Sequence, residues 1–453
     1  MPPRQADARA AFIDAACVPL DRSHASGTLE DADAILAANP DIVEADIHTA
    51  AILGADAVVR RLLAADPSLA TAKCAPRDWD ALTHLCFSRY LRLDHARSPA
   101  FVKAAEALLD AGANPNTGFY SNDHLPAPEF ESALYGAAGV AHHAGVTRLL
   151  LERGADPNDG EVSYHAPEGF DNEAMMAIVE SGKLSTDSLC TMLHRKLNWT
   201  DYAAAEWLLN RGADANHLSH WGKRSLHAVL GFGNPLRYVE LLLLHGADPS
   251  LLAKDGRSAF AMAARMGRAD VLDLFEQRAF QPLLGPEETL LAACARGEDM
   301  LVRDMIAADP ALAARVVAQG DPLLIDFAGT GSFRGVSILL DLGTDIAAQR
   351  ANPPWLRGET ALHVAIWRER LATVELLLRR GAPLETAGVN GETPLSLSVR
   401  AQVEQSEWTP HNSTAILEAL LVAGAKPGSV KRFPSGSDRA DALLRRALES
   451  ARS

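Results

Sequence analysis

Cysteine is scarce. The 453 residues hold five (Cys17, Cys74, Cys86, Cys190 and Cys294), an odd number with no C-x-x-C pair. That excludes a disulfide scaffold and a paired-thiol zinc motif, and points to buried free thiols in a reducing compartment. Long apolar runs are missing too: no stretch approaches the roughly 20 residues that a membrane span requires. The start, MPPRQADARAAFIDAACVPLD, is basic, but Asp7, Arg9 and Asp14 break any leader-like apolar core, so a cytoplasmic address is expected. Positive charge is in deficit, with 43 Lys and Arg against 58 Asp and Glu and a net charge of −15. This argues against a general nucleic-acid binder and favours a neutral or basic protein or peptide partner.

Catalytic signatures are absent as well. There is no H-E-x-x-H, no G-x-S-x-G and no P-loop; the Gly329–Ser332 turn, GTGS, follows no credible strand and lacks the P-loop lysine. His142 and His143 are adjacent and would point apart on a helix, and His217 and His220 merely flank a turn. No catalytic residue, metal ligand or cofactor is therefore expected, and the chain is not read as an enzyme.

What is present is repetition. A phrase ending in Gly-Ala-Asp-Pro-Asn recurs as LLDAGANPN (Leu108–Asn116), LLERGADPN (Leu150–Asn158), LLNRGADAN (Leu208–Asn216) and LLLHGADPS (Leu242–Ser250). Weaker copies start at Leu377 and Leu420. Upstream of most copies lies a second phrase, seen as SLHAVLGFG at Ser225, ETALHVAIW at Glu359 and ETPLSLSVR at Glu392. Leu226, Ala228 and Val229 suit the start of one helix, and Val239, Leu241, Leu242 and Leu243 the apolar stripe of the next. Gly246 can end that helix left-handed, and Asp248 with Pro249 favours a turn.

Together the two phrases resemble the ankyrin repeat, whose period is about 33 residues. About twelve units can be traced between Arg9 and Pro434, of a bacterial-like cytoplasmic type. The resemblance implies an all-α solenoid of stacked helix-turn-helix units with extended finger loops. No unit buries its apolar face alone, so stability must come from its neighbours. It also implies that His48, His194, His227 and His363, at the histidine of the T-P-L-H-like phrase, bond neighbouring backbone, and that His142 sits in the turn between helices.

Departures from the standard unit locate the special regions. Ile47–Pro67 aligns without gaps on Leu290–Pro310, and Phe280–Glu288 breaks the run of units. Two repeat segments are therefore expected, 1–284 and 285–434, with a capping helix in 435–453. Extra residues fall near SRYLRLDHARSPA and near VEQSEWTPHNS, where Trp408 and His411 mark a weaker second site. TGFYSNDHLPAPEF (117–130) lengthens one finger, and DGEVSYHAPEGFDN (159–172) replaces a finger and first helix.

In repeat proteins such insertions gather on one face, often the binding face. The residues expected to bind are Tyr120, His124, Tyr135, Tyr164, His165, Asp171, Trp199, His220 and Trp221, because aromatic groups dominate contact surfaces. They point to a non-catalytic scaffold that grips a protein with its concave finger face. The alternative is a small-molecule or peptide pocket, with or without chemistry, closed by loops 117–130 and 159–172.

Overall fold

The computed structural model describes residues 3–19, 26–121, 128–281, 283–318, 322–351, 357–388, 391–403 and 413–450. The chain forms two compact units, Met1–Ser219 and His220–Ser453, each a row of helix pairs. In the first, the pairs include Ile47–Ile52 with Asp56–Ala65, Ala81–Cys86 with Ser98–Asp110, and Thr186–Asn198 with Tyr202–Asn210. In the second they include Ser225–Phe232 with Leu236–Leu244, Ala259–Arg265 with Ala269–Gln277, and Ala361–Trp367 with Leu371–Arg379. The helix Pro286–Arg296, beyond the Pro- and Gly-rich stretch near 284, packs against Ala259–Arg265 within the second unit. The final described element is the helix Asp438–Ser450.

Each pair is built by the same local chemistry. A side chain before the first helix accepts from its third backbone N–H: Asp80 from Thr83, Ser132 from Tyr135 and Ser258 from Ala261. The chain turns between helices on a left-handed residue, such as Gly233 (φ 73°), Gly267 (69°) or, without glycine, Thr200 (50°) and Glu369 (53°). The second helix ends on another left-handed glycine. Ala155 N–H reaches back over Gly154 to the Leu150 carbonyl at 2.9 Å, closing a Schellman turn. Asp156 then accepts from Asn158 N–H at 3.0 Å, an Asx turn.

The asparagine of this phrase ties one helix pair to the next. Asn116 donates to the Gly154 carbonyl at 3.1 Å and accepts from Asp156 N–H at 2.8 Å. Asn158 does the same one unit on, to the Lys183 carbonyl and from Ser185 N–H. Where Asp-Pro stands instead of the glycine turn, at Asp66 and Asp309, the chain runs on into the short helices Pro67–Ala70 and Leu312–Val317.

Two local departures shape the first unit. The lengthened finger is not irregular: Gly118–Ser121 pairs antiparallel with Glu129–Ser132. It is anchored by Phe119, which stacks on Trp79 at 4.4 Å and meets Phe87 edge-on at 5.1 Å. The segment 159–172 keeps part of a first helix, the five residues Glu161–His165. The extra residues near Ser88–Ala100 fold as the helix Arg89–Leu93 and the 3-10 turn His95–Arg97.

A further irregularity has a simple cause. Thr360, which caps its helix, precedes its left-handed turn residue Glu369 by nine positions, whereas Ser132 precedes His142 by ten. The additional residue is absorbed as a π-helical turn, Gly136–Val140.

The core is formed by the facing stripes of neighbouring pairs, with Leu108, Leu150, Leu208 and Leu242 fully buried. Replacing Leu242 by Ala should lower stability by about 2–5 kcal/mol through a cavity between units. Urea unfolding followed by circular dichroism measures it, and a negligible loss would show that the stripe does not carry the stack.

Candidate functional site

The finger residues divide into exposed and structural ones. Tyr120, on the hairpin, is 70% exposed, with its ring 5.2 Å from that of Phe130. Tyr135 is 1% exposed and packs between Phe87 (5.9 Å) and His165 (5.2 Å), so its ring is a core group and offers no surface. His124 lies outside the described residues, as do Trp408 and His411. His220 and Trp221 lie in the second unit, both exposed, their rings 3.8 Å apart.

Segment 159–172 is held down by two consecutive residues of the helix Thr186–Asn198. Arg195 donates to the Tyr164 carbonyl at 3.2 Å and to Glu168 at 2.5 Å, and its guanidinium lies 3.9 Å over the Tyr164 ring. Lys196, wholly buried, donates to the Gly169 carbonyl at 2.8 Å and to Asp201 at 3.1 Å. Asp201 also accepts from Asn172 at 2.8 Å, and Ser132 bonds the Asp159 carboxylate. The segment is therefore stapled to the body and not shaped as a swinging lid.

Beside it lies a groove of about 750 Å³ bordered by Arg92, His142, His143, Asp171, Phe170 and Trp199. Phe170 meets Trp199 edge-on at 6.3 Å, and Asp171 accepts from Glu173 N–H at 3.1 Å. His143 Nδ1 accepts from Val146 N–H at 3.1 Å, which leaves the proton on Nε2 to face Ser98 Oγ at 2.7 Å. His143 is thus a helix cap, and His142 takes the left-handed position before it (φ 50°).

A second cavity, of about 870 Å³, lies wholly in the second unit. It is lined by the ends of successive first helices and the turns that follow them. Five arginines reach it (Arg268, Arg350, Arg368, Arg370 and Arg400) against three carboxylates, Asp270, Asp326 and Glu359. Arg268 grips Asp270 through two bonds of 2.8 Å, Arg350 donates to Asp326 at 2.8 Å, and Arg400 pairs with Glu392 at 2.9 Å.

Arg368 and Arg370 differ. Among the described residues they donate only to carbonyls, of Phe232 at 3.2 Å and Gly329 at 3.1 Å. Burial pulls both below the usual arginine value, and a neighbouring guanidinium (Arg370 for Arg368, Arg268 for Arg370) adds to it. Arginine nonetheless keeps its charge in proteins, so two cations that pair with no carboxylate among the described residues face this cavity.

Residues 357–387, the pair containing Arg368 and Arg370, match the family model described as the ankyrin repeat. That pair is an ankyrin repeat. The chain is 29% identical over 242 residues to NF-kappa-B inhibitor delta of Mus musculus, covering 52% of this chain and 68% of that protein. It is 32% identical over 136 residues to the B-cell lymphoma 3 protein homolog of Mus musculus, covering 27% of this chain and 30% of that one. Among solved structures, the human ASB11 ankyrin repeat domain aligns over 56% of this chain and 96% of that chain, at 18% identity and a TM-score of 0.26. Among the described residues no helix is long and apolar enough to cross a membrane.

The histidines of the recurring phrase follow their expected role in the second unit. His227 Nε2 meets the Arg257 carbonyl at 3.0 Å, and His363 Nε2 the Glu392 carbonyl at 3.1 Å, each in the next finger. His48 departs from it. The Asp46 cap bonds Thr49 N–H where Thr360 bonds that of His363, so His48 stands one position nearer its cap. The arginine cavity is not legible in the sequence, because arginine in a turn reads as a solvated surface group. The available signal was position: Arg268 and Arg370 both directly follow the left-handed turn residue.

His165 is clasped between Glu161 at 3.2 Å and Glu168 at 3.3 Å. Burial alone would lower its pKa, but the hydrogen bonds its ring donates to the two carboxylates outweigh that and push it up to about 9. With the unfolded value near 6.5, the clasp stabilises fully below about pH 6.5 and its contribution is lost as pH rises through about 9. Glu161→Gln should lower the His165 midpoint in an NMR titration and flatten this alkaline loss of stability. A wild-type midpoint near 6.5 would show that the clasp does not form.

Proposed function

We propose that this chain is a non-catalytic protein-binding module that takes an acidic segment of its partner into the arginine-lined cavity of its second unit. One observation carries the reading: Arg368, half-buried, and Arg370, exposed, face the cavity, and among the described residues neither pairs with a carboxylate. A guanidinium binds a carboxylate through two parallel hydrogen bonds, and a ligand's acidic side chain would supply one. The net charge of −15 favours a basic partner at long range, but docking answers to the local field, which here is positive. A rigid stack of helix pairs also loses little entropy on binding. The name of one relative, an NF-kappa-B inhibitor, is that of a protein acting on a protein. The exposed Trp221, in the same unit, would add an aromatic contact.

The second reading is a small anion in the same cavity, favoured by its volume, which falls within the range of about 300–1,000 Å³ typical of small-molecule sites. Panning a displayed random-peptide library against the full chain separates the two. Retained peptides should be rich in Asp and Glu, and the Arg368→Gln/Arg370→Gln variant should bind them about tenfold or more weakly. Retained peptides without acidic bias, or equal binding by the variant, would remove the acidic-segment reading. Citrate that stabilises the wild type alone, with no peptide retained, would establish the small anion.

A further inference from the structure

We propose that His48, Cys74 and His84 form a binding site in the first unit for a thiophilic cation of the Zn²⁺ class, distinct from the arginine cavity. One ligand atom from each residue lies within 4.8 Å of the others. Three separate elements bring them together. His48 is on the helix Ile47–Ile52 and His84 on its packed neighbour Ala81–Cys86. Cys74 opens a turn that doubles back, with Cys74 N–H on the Trp79 carbonyl (3.1 Å) and Asp78 N–H on the Cys74 carbonyl (2.8 Å).

The hydrogen-bonding state of the two rings points to a missing partner. His84 is fully buried; its Nδ1 faces the Asp80 carbonyl at 2.9 Å and so carries the proton. Its lone pair is then on Nε2, which is buried and has no partner among the described residues. A carbonyl fixing one nitrogen while the other presents its lone pair is the usual support of a metal-bound histidine. His48 Nδ1 is likewise buried and unpartnered, and the two rings stand 5.3 Å apart at 70°. An orphaned buried polar atom is costly, and two on neighbouring rings that share a cluster with a thiol call for a shared partner. Burial holds both imidazoles neutral, His84 down to about 3, as ligation requires.

The donor set selects the ion. Two imidazoles and a sulfur suit zinc and its soft neighbours and not Mg²⁺ or Ca²⁺, which take oxygen. Bonds of about 2.0–2.3 Å would draw the three ligands inward by about 1 Å. Cys74 enters as a thiol, raised to about 11 mainly by burial; binding forms the metal–sulfur bond and releases the thiol proton to solvent. Arg9 stands beside it and eases formation of the thiolate, its charge offset by Asp46 at 3.1 Å. Asp46 caps Thr49, and Asp80 caps Thr83 and bonds Thr117, so neither carboxylate is left to ligate. The protein thus offers three ligands and leaves the fourth position to water, the form of an exchangeable rather than a sealed site.

The test is Co²⁺ titration of the chelator-treated full chain, followed by displacement with Zn²⁺. One equivalent should give thiolate-to-cobalt charge transfer and tetrahedral ligand-field absorption, both removed by Zn²⁺, with Tm raised by either metal. Cys74→Ser should abolish the charge-transfer band, whereas Cys190→Ser should leave it. His84 is too deeply packed for a clean substitution, so His48→Gln, checked for retained helicity, supplies the imidazole arm and should weaken binding at least tenfold. No band at one equivalent, or a band that persists in Cys74→Ser, overturns the proposal and leaves a bridging water as the partner of both rings.

Discussion

A helix pair with an apolar stripe on two sides cannot close its own core, and everything else in this chain follows from that constraint. Each pair must find a neighbour at a fixed distance and register. Leucines such as Leu150 and Leu242 supply the attraction, but burial of apolar surface is not directional. Register comes from polar groups. Asn116 and Asn158 reach across to the backbone of the following unit through a donor and an acceptor each, which a slip of one residue would break.

The same division of labour places the charged groups. Lys196 is buried whole, which is tolerable only because Asp201 and the Gly169 carbonyl accept its hydrogen bonds. Together with Arg195 it turns an irregular insertion into a fixed part of the surface. In the second unit Arg268 and Arg350 are neutralised by Asp270 and Asp326, while Arg368 and Arg370 meet only carbonyls. Two sets of cations thus end differently, one satisfied by carboxylates within the chain and one directed at a cavity.

Periodic features of the fold could be read in the residues, because left-handed glycines and Asx turns leave a fixed spacing. The resemblance to ankyrin repeats rested on Gly154-Ala155-Asp156-Pro157-Asn158 and its copies, and those residues make the turns assigned to them. The site was legible only in part. Tyr120 and Trp221 are exposed as an aromatic finger requires, but Tyr135 is drawn inward by Phe87 and His165, which no local pattern reports. His48 was assigned a backbone partner from its phrase; the position of the Asp46 cap, one residue closer, denies it that geometry. His48, Cys74 and His84 come from two helices and a turn, so no linear spacing could announce them. The arginines of the second unit are brought to one cavity by stacking, a relation between repeats and not within one.

The π-helical turn at Gly136–Val140 shows how such a chain tolerates a change in its own length. A residue added to a helix would ordinarily rotate everything beyond it by about 100° and turn the apolar stripe away from its neighbour. Here the wide turn takes up the surplus before His142, and the helix Ala144–Glu152 resumes with Val146, Leu150 and Leu151 still facing inward. Small residues make room for it: a β-carbon at Gly139 would stand 2.8 Å from the His165 side chain, and one at Gly136 the same distance from Phe87. A single-residue insertion is thereby confined to one helix and never reaches the next repeat, so drift in one repeat's length need not disturb the pairing of those that follow.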